Sequence, residues 1–436
     1  MERKTFSVLT LGCRVNQYES DCITEALTAA GLQKVDFGKE CDVAVVNTCT
    51  VTAESDRKSR QMIRRAVPCA KAVIVTGCYA ETGRKAAQTI DGVTYITGNG
   101  KKSDICRIAV KLANGEAAEP DFPDVASCPY DAMICTTPQR TRSYIKIEDG
   151  CDSHCAYCII PKARGGVRSK PAELIEHEAR SLYDAGCREI ILTGIETAAY
   201  GKDLGHQPYY GYALAEVIRT AADIGYTRIG LGSLDPSVMN DSFVGAIAEI
   251  PSLMPHFHLS VQSGCSSVLA RMRRRYNRKM LEENIARLKA AIPEVTLSAD
   301  VIVGFPGETE EEFCETLDFI KSVRFLHLHI FPYSVREGTE AAKMKDQLPA
   351  SIKSSRLHRL SAAQAEIKRK LLREYIESHS EKPVYVLAEE MKLGKLYGHS
   401  EHFAEVVFDG SEELTGDIIK VKLTSTDGEL CFGEMI

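Results

Sequence analysis

Cys151, Cys155 and Cys158 stand in the run CDSHCAYC, a C-x3-C-x2-C spacing on what reads as one short loop. Three thiolates that close together can converge on one metal or iron–sulfur cluster and leave a coordination position open. An open position suits catalysis, because structural zinc prefers four closed protein ligands. A zinc site with a remote fourth ligand, and chance, are the alternatives. Three further cysteines are spread more widely: Cys13 in LGCRVNQYES, Cys49 in VVNTCTVTAESDRKSRQ and Cys78 in VTGCYAE. Any one of them alone reads as a small buried hydrophobe. Each, however, follows directly on a predicted strand. In a parallel sheet the carboxyl ends of neighbouring strands share one edge, where open α/β folds bind ligands. A shared cluster site for these three is therefore expected.

The elements that must position them alternate in type. TFSVLTL from Thr5, DVAVVN from Asp42 and AVIVT from Ala72 are short runs rich in Val, Ile and Thr, and helical patterns near residues 18–30 and 54–66 follow two of them. Strands separated by helices imply a parallel sheet with right-handed crossovers. The acidic, Pro-containing stretch ANGEAAEPDFPDV (113–125) reads as a linker. A second α/β series starts at SYIKI (143–147) and continues through EIILT, TRIGLG, FHLSV, TLSADVIV and LHLHIF. Six strands with five intervening helical patterns are too few for a closed eight-fold barrel and fit an open, partial one. Leu357, Leu360, Gln364, Ile367 and Leu371 then mark a long helix whose apolar stripe has one polar break. From Pro383 the period changes to two, and five short strands with Gly-rich turns suggest a small oligonucleotide-binding type of barrel.

The chain has 436 residues, 44% hydrophobic and 26% charged, which suits three globular domains and excludes a wholly disordered or fibrous chain. Lys+Arg 54 against Asp+Glu 60 leaves a net charge of −6, so nucleic acid would have to bind local patches rather than bulk basic charge. The candidate patches are Arg57, Lys58, Arg60, Arg64 and Arg65; Arg271, Arg273, Arg274 and Arg275; and Lys368, Arg369, Lys370 and Arg373. Each patch alone also reads as a solvated helix face. Tyr385, Tyr397 and Phe403 are candidate stacking surfaces in the terminal barrel, with core packing as the other reading. The N-terminus lacks the apolar core and cleavage site of a signal peptide, and no apolar run approaches the ~20 residues of a membrane helix. No membrane partner and a cytoplasmic location are expected. There, 16 cysteines point to metal or redox chemistry rather than disulfides.

The C-x3-C-x2-C loop with an aromatic residue before its third cysteine resembles the signature of radical S-adenosylmethionine enzymes. The resemblance implies that Cys151, Cys155 and Cys158 bind a [4Fe-4S] cluster whose fourth iron chelates S-adenosylmethionine, and that a cluster electron cleaves it to a 5′-deoxyadenosyl radical. With the words around Cys13, Cys49 and Cys78 and the terminal barrel, nearly the whole chain resembles the methylthiotransferase family. The fold class implied is α/β: an N-terminal parallel-sheet domain at 2–114, a partial (β/α)6 radical core at 137–365 and an RNA-binding β-barrel of the TRAM type at 374–436. Cys13, Cys49 and Cys78 would hold an auxiliary [4Fe-4S] cluster carrying the sulfur to be inserted. One S-adenosylmethionine would methylate that sulfur, and a second would supply the radical that attacks carbon 2 of the base.

GCRVNQYES resembles most the branch acting on N6-threonylcarbamoyladenosine beside the tRNA anticodon. The branch acting on isopentenyladenosine usually reads GCQMN here, and the one acting on a ribosomal-protein aspartate GCPKN. The implied partners are the tRNA anticodon stem-loop carrying that nucleoside, an external one-electron reductant and a sulfur donor. A ribosomal-protein or isopentenyl substrate, and a non-catalytic iron–sulfur RNA-binding module, are the alternatives.

The resemblance also suggests S-adenosylmethionine contacts. Tyr157 would pack near the adenine, although an ordinary core aromatic fits as well. Glu196, in LTGIETAAYG, would accept from the ammonium or a ribose hydroxyl, where the family more often shows a neutral polar residue or His. Ser233 and Gln262 would meet ribose or carboxylate, and Gly304, in VGFPGE, would let the backbone approach the adenine. Cys265 reads as structural. Cys22, Cys41 and Cys69 are expected near the auxiliary site.

Overall fold

The structure, a computed structural model, describes residues 3–436. The N-terminal unit is a five-stranded parallel sheet in the order Gln33–Lys34, Thr5–Thr10, Cys41–Thr48, Ala70–Gly77, Tyr95–Ile96. All eight residues of the central strand, CDVAVVNT, are buried, as a parallel strand covered on both faces requires. Tyr18, Ile23 and Leu27 of the helix Arg14–Ala29 pack with Phe6, Val43 and Ile74 on one face. Ile63 and Ala66 of Ala53–Ala66 pack with Ala44, Val46 and Val73 on the other. The two edge strands have only two residues each, too short to leave a pattern in the sequence.

The second unit comprises two three-stranded parallel sheets, Ser143–Lys146, Glu189–Thr193, Arg228–Leu231 and His256–Gln262, Thr296–Val303, His327–Pro332. Single bridges at Ile229–Leu253 and Leu234–Leu259 link the second half to the first. The result is the open six-strand arc expected from the sequence. Residues 114–142 carry no helix or strand, but they are not a solvated linker. Val125, Met133 and Cys135 are buried, and the backbone N–H of Cys135 donates to Glu178 Oε1 at 2.6 Å. The stretch is a strap packed between the two units.

The helix Ala350–Ser378 joins the second and third units. Leu360 and Ile367 enter the arc's core, while Leu372 enters that of the terminal barrel. The polar break has a cause: Gln364 Nε2 donates to the carbonyls of Phe325 and Leu326 at 3.0 and 2.9 Å, satisfying acceptors where the last arc strand begins. The C-terminal strands close into a barrel in the order Val384–Lys392, Lys395–Ser400, Glu405–Phe408, Cys431–Met435, Ile418–Thr426. This barrel caps the amino-terminal mouth of the arc. Phe403 stacks on His256 with ring centroids 4.6 Å apart, and Arg228 Nη1 donates to Tyr385 O at 2.8 Å. Phe403 is therefore a docking residue and not a free stacking surface for RNA, whereas Tyr385 is 44% exposed. No described helix is long and apolar enough to cross a membrane.

Candidate active site

The strand edge that the sequence singled out carries three cysteines. Cys13 is the exposed N-cap of Arg14–Ala29, Cys49 follows the strand ending at Thr48, and Cys78 follows the one ending at Gly77. Cys13, Cys49 and Cys78 lie within electrostatic reach of one another, and a Cβ on Gly12 would stand 3.0 Å from Cys49 Sγ. Gly77 is required immediately before Cys78. Its φ is +96°, and a Cβ there would meet the Thr48 carbonyl at 2.4 Å. Cys41 and Cys69, expected nearby, are elsewhere. Both line a hollow at the opposite edge of the sheet, seven residues or about 23 Å of strand from Thr48. Cys22 sits beside Cys135 in the core beneath the first helix.

The second triad lies on the loop after the first arc strand. Gly150, at φ +88°, turns the chain into it; a Cβ there would overlap the Gly166 carbonyl at 1.9 Å. Cys151, Cys155 and Cys158 are partly exposed and within electrostatic reach of one another. Withdrawal from water pushes the Cys151 thiol up to about 11 and Cys158 up to about 12, and at Cys49 it does the same to about 11. Without metal these thiols stay protonated at neutral pH, so loading iron must release protons.

The surroundings of the sulfurs fit a bound cluster. The backbone N–H groups of Ser153 and Ile160 reach Cys151 Sγ and Cys158 Sγ, each at 3.4 Å, and Arg274 Nη1 reaches Cys155 Sγ at 3.2 Å. Cys78 Sγ receives Arg164 Nε at 3.2 Å and Asn99 Nδ2 at 3.7 Å. Donors aimed at sulfur stabilise the anionic form that binds iron.

Arg164 connects the triads. It ends the short helix Ile160–Arg164 just beyond Cys158, is fully buried, and touches Cys78 as well as Glu19, Asp149 and Asn16. Burial alone would lower its pKa, but Asp149, Cys78 and Glu19 together raise it. Lys102 and Lys146 complete the cluster around Glu19. The two strand edges thus face one another through a dry ion network. Arg164→Met would strand Glu19 and Asp149 without their shared guanidinium, and is expected to cost about 3–5 kcal/mol in anaerobic denaturant unfolding. A loss under about 1 kcal/mol would show that Lys102 and Lys146 suffice.

The residues suggested as S-adenosylmethionine contacts also lie at the carboxyl ends of arc strands. Glu196 follows Glu189–Thr193, and its Oε1 accepts from Asp235 N at 3.1 Å. Desolvation and neighbouring Asp235 push its carboxyl up to about 7. Ser233 lies just past Arg228–Leu231, and Gln262 ends its strand, buried, in the left-handed region at φ +67°. Tyr157 packs among Cys265, Met272, Phe305 and Tyr333, and Cys265 is buried as expected. Gly304, at φ +72°, turns the chain just past Thr296–Val303, and a Cβ there would meet Lys353 Cγ at 2.5 Å.

Several groups escaped the sequence reading. Arg274, read as one of a solvated run, turns its side chain inward and bridges Cys155 Sγ, Asp235 Oδ2 at 2.8 Å and Tyr276 OH at 2.8 Å. Arg336, in FPYSVREGT, donates to Asp56 Oδ2 at 2.8 Å and Thr50 Oγ1 at 2.7 Å beside Cys49. Buried Glu148 accepts from Glu196 N at 2.8 Å through Oε2, while its Oε1 has no partner. Only the run of basic residues in 271–275 hinted at any of these.

Residues 145–320 match the radical SAM superfamily, and residues 5–98 match uncharacterized protein family UPF0004. The Bacillus subtilis (strain 168) protein named threonylcarbamoyladenosine tRNA methylthiotransferase MtaB is 37% identical over 428 residues, 96% of this chain and 93% of that one. A tRNA-2-methylthio-N(6)-dimethylallyladenosine synthase from Syntrophotalea carbinolica is 31% identical over 448 residues, covering 99% of this chain and 100% of that one. Among solved structures, the radical S-adenosylmethionine methyltransferase TsrM from Kitasatospora setae, with cobalamin and [4Fe-4S] cluster bound, superposes with a TM-score of 0.53. It is 16% identical over 76% of this chain and 75% of that one, a likeness of fold alone. By its near-complete match to these relatives, the chain belongs to the radical S-adenosylmethionine methylthiotransferase family.

Proposed function

We propose that this protein is a tRNA N6-threonylcarbamoyladenosine methylthiotransferase that inserts a methylthio group at carbon 2 of the modified adenosine beside the anticodon. The observation that carries the reading is the facing pair of cysteine triads in a chain 37% identical over 96% of its length to a relative named for that activity. When bound, two [4Fe-4S] clusters and S-adenosylmethionine supply the radical and the sulfur chemistry. The chain's own residues do the rest. Cys151, Cys155 and Cys158 hold one cluster, with Arg274 donating to Cys155. Cys13, Cys49 and Cys78 hold the other, with Arg164 donating to Cys78. Glu148 Oε1, which lacks a partner, and Glu196 would accept from the ammonium or ribose of S-adenosylmethionine, and Ser233, Gln262 and Tyr157 would add further contacts to it. The dry Glu19–Arg164–Asp149 network excludes water between the two edges.

Residues 2–114, 137–365 and 374–436 serve as auxiliary-cluster, radical and RNA-binding domains. The enzyme works in the cytoplasm on the tRNA anticodon stem-loop, with an external one-electron reductant and a separate sulfur donor. An anticodon-loop base can leave its stack at small cost to reach such a site.

Anaerobic incubation of reconstituted protein with S-adenosylmethionine, reductant, sulfide and tRNA, followed by nucleoside mass spectrometry, tests the reading. A methylthio gain on threonylcarbamoyladenosine is expected. A gain confined to the dimethylallyl nucleoside, or to a ribosomal-protein aspartate, would overturn the substrate assignment and keep the family.

A further inference from the structure

The arc is hollow. A cavity of about 260 Å3 runs through its interior, walled by Tyr144, Ile191, His258, Ser298 and His329, and floored by Phe403 of the terminal barrel. One wall residue comes from the N-terminal unit. Arg14, the residue after Cys13, crosses from the N-terminal domain and places its guanidinium in this cavity, where Nη1 donates to the Leu231 carbonyl at 3.4 Å.

The other charges around Arg14 are already committed. Glu189 holds Arg142 at 2.8 Å and Arg228 at 2.6 Å. Glu389 holds Arg142 and also His399, the latter at 2.6 Å. Asp300 engages His258 at 3.1 Å with one oxygen and His329 at 3.2 Å with the other. Arg14 alone has no carboxylate within ion-pair distance among the described residues, and desolvation lowers its pKa. A largely desolvated guanidinium without an anion is costly, and its planar fork matches a carboxylate in two-point contact. Of the histidines beside it, His258 is engaged at both ring nitrogens, by Asp300 and Ser298, whereas His329 uses only Nδ1 on Asp300 and can offer Nε2 to the same ligand.

We propose that Arg14, with His329 beside it, forms an anion subsite in the arc cavity that receives the carboxylate of the amino-acid substituent on the target adenosine. This rests on the substrate reading above: a threonyl group joined through its nitrogen to a carbamoyl carries a free carboxylate, and a dimethylallyl group carries none. Because Arg14 adjoins Cys13, seating that carboxylate also fixes the base relative to the auxiliary triad. Arg14 is a specificity residue, in contact with substrate but not with the reacting carbon.

Fluorescence anisotropy under anaerobic conditions, with the cluster-loaded full chain, tests this with three anticodon stem-loops. They carry threonylcarbamoyladenosine, its threonyl methyl ester, and unmodified adenosine. The wild type is expected to bind the acid about 10- to 100-fold more tightly than the ester, the worth of one charge-assisted contact. Arg14→Met should bind acid and ester alike, and Arg14→Lys should restore part of the preference. Iron content and melting temperature of both variants report folding. A wild type that prefers the acid over unmodified adenosine yet is indifferent to esterification would overturn the Arg14 subsite alone. So would an Arg14→Met protein that still discriminates. A wild type that binds the threonylcarbamoyl loop no better than the unmodified one would overturn the substrate reading itself.

Discussion

Cys49→Ala is expected to retain reductive cleavage of S-adenosylmethionine, read as 5′-deoxyadenosine, while methylthio insertion falls by at least about 100-fold, since loss of even an outer-shell partner costs 10- to 100-fold. Cys49 is buried between Gly12 and the backbone of its own strand end, where the Ser59 hydroxyl holds its amide and carbonyl. Alanine keeps those backbone bonds and removes only the sulfur. The N-terminal sheet should therefore survive, leaving Cys13 and Cys78 as an incomplete ligand set. The radical loop is a separate piece of chain and does not use Cys49. Unchanged insertion in this variant would contradict the assignment of the auxiliary triad.

Cys155→Ala makes the opposite split. Its sulfur is the one that Arg274 reaches at 3.2 Å, and Arg274 is anchored in turn by Asp235 and the Ser260 carbonyl. The substitution removes one of three ligands and leaves that guanidinium facing an apolar methyl. Formation of 5′-deoxyadenosine should fall to background, again by at least about 100-fold, and insertion with it. Iron bound by the N-terminal triad should remain. Persistent 5′-deoxyadenosine formation would contradict the role of this loop. Together the two variants separate the triads: one loses only insertion and the other loses both reactions.

What the sequence made legible was periodic or tightly spaced. The six arc strands, the helix Glu310–Val323 with its Thr309–Glu312 capping box, and the five barrel strands all carry local patterns. The C-x3-C-x2-C loop is legible for the same reason, its residues being neighbours in the chain. Cys13, Cys49 and Cys78 could be grouped because each follows a strand in a parallel sheet, so topology did the work of proximity.

Long-range polar partnerships left no comparable trace. Arg164 meets Glu19 across 145 residues, and Arg336 meets Thr50 across 286. Arg274 looked like part of a solvated run because three neighbouring arginines share its stretch; only the fold turns it inward. Phe403 was a candidate RNA platform, with core packing as the other reading, and its ring instead stacks on His256 of the arc. Arg14 stood in the word that carried the substrate resemblance. No periodicity, however, reports that a side chain at a helix start crosses into another domain.

The most direct measurement is iron and sulfide content per chain, with Mössbauer spectra, for the anaerobically reconstituted wild type and for the variant in which Cys13, Cys49 and Cys78 are all alanine. The wild type should hold two [4Fe-4S] clusters. The variant should hold one, and that one should change its spectrum when S-adenosylmethionine is added. A wild type with a single cluster, or a variant that keeps both, would contradict the two-triad active site.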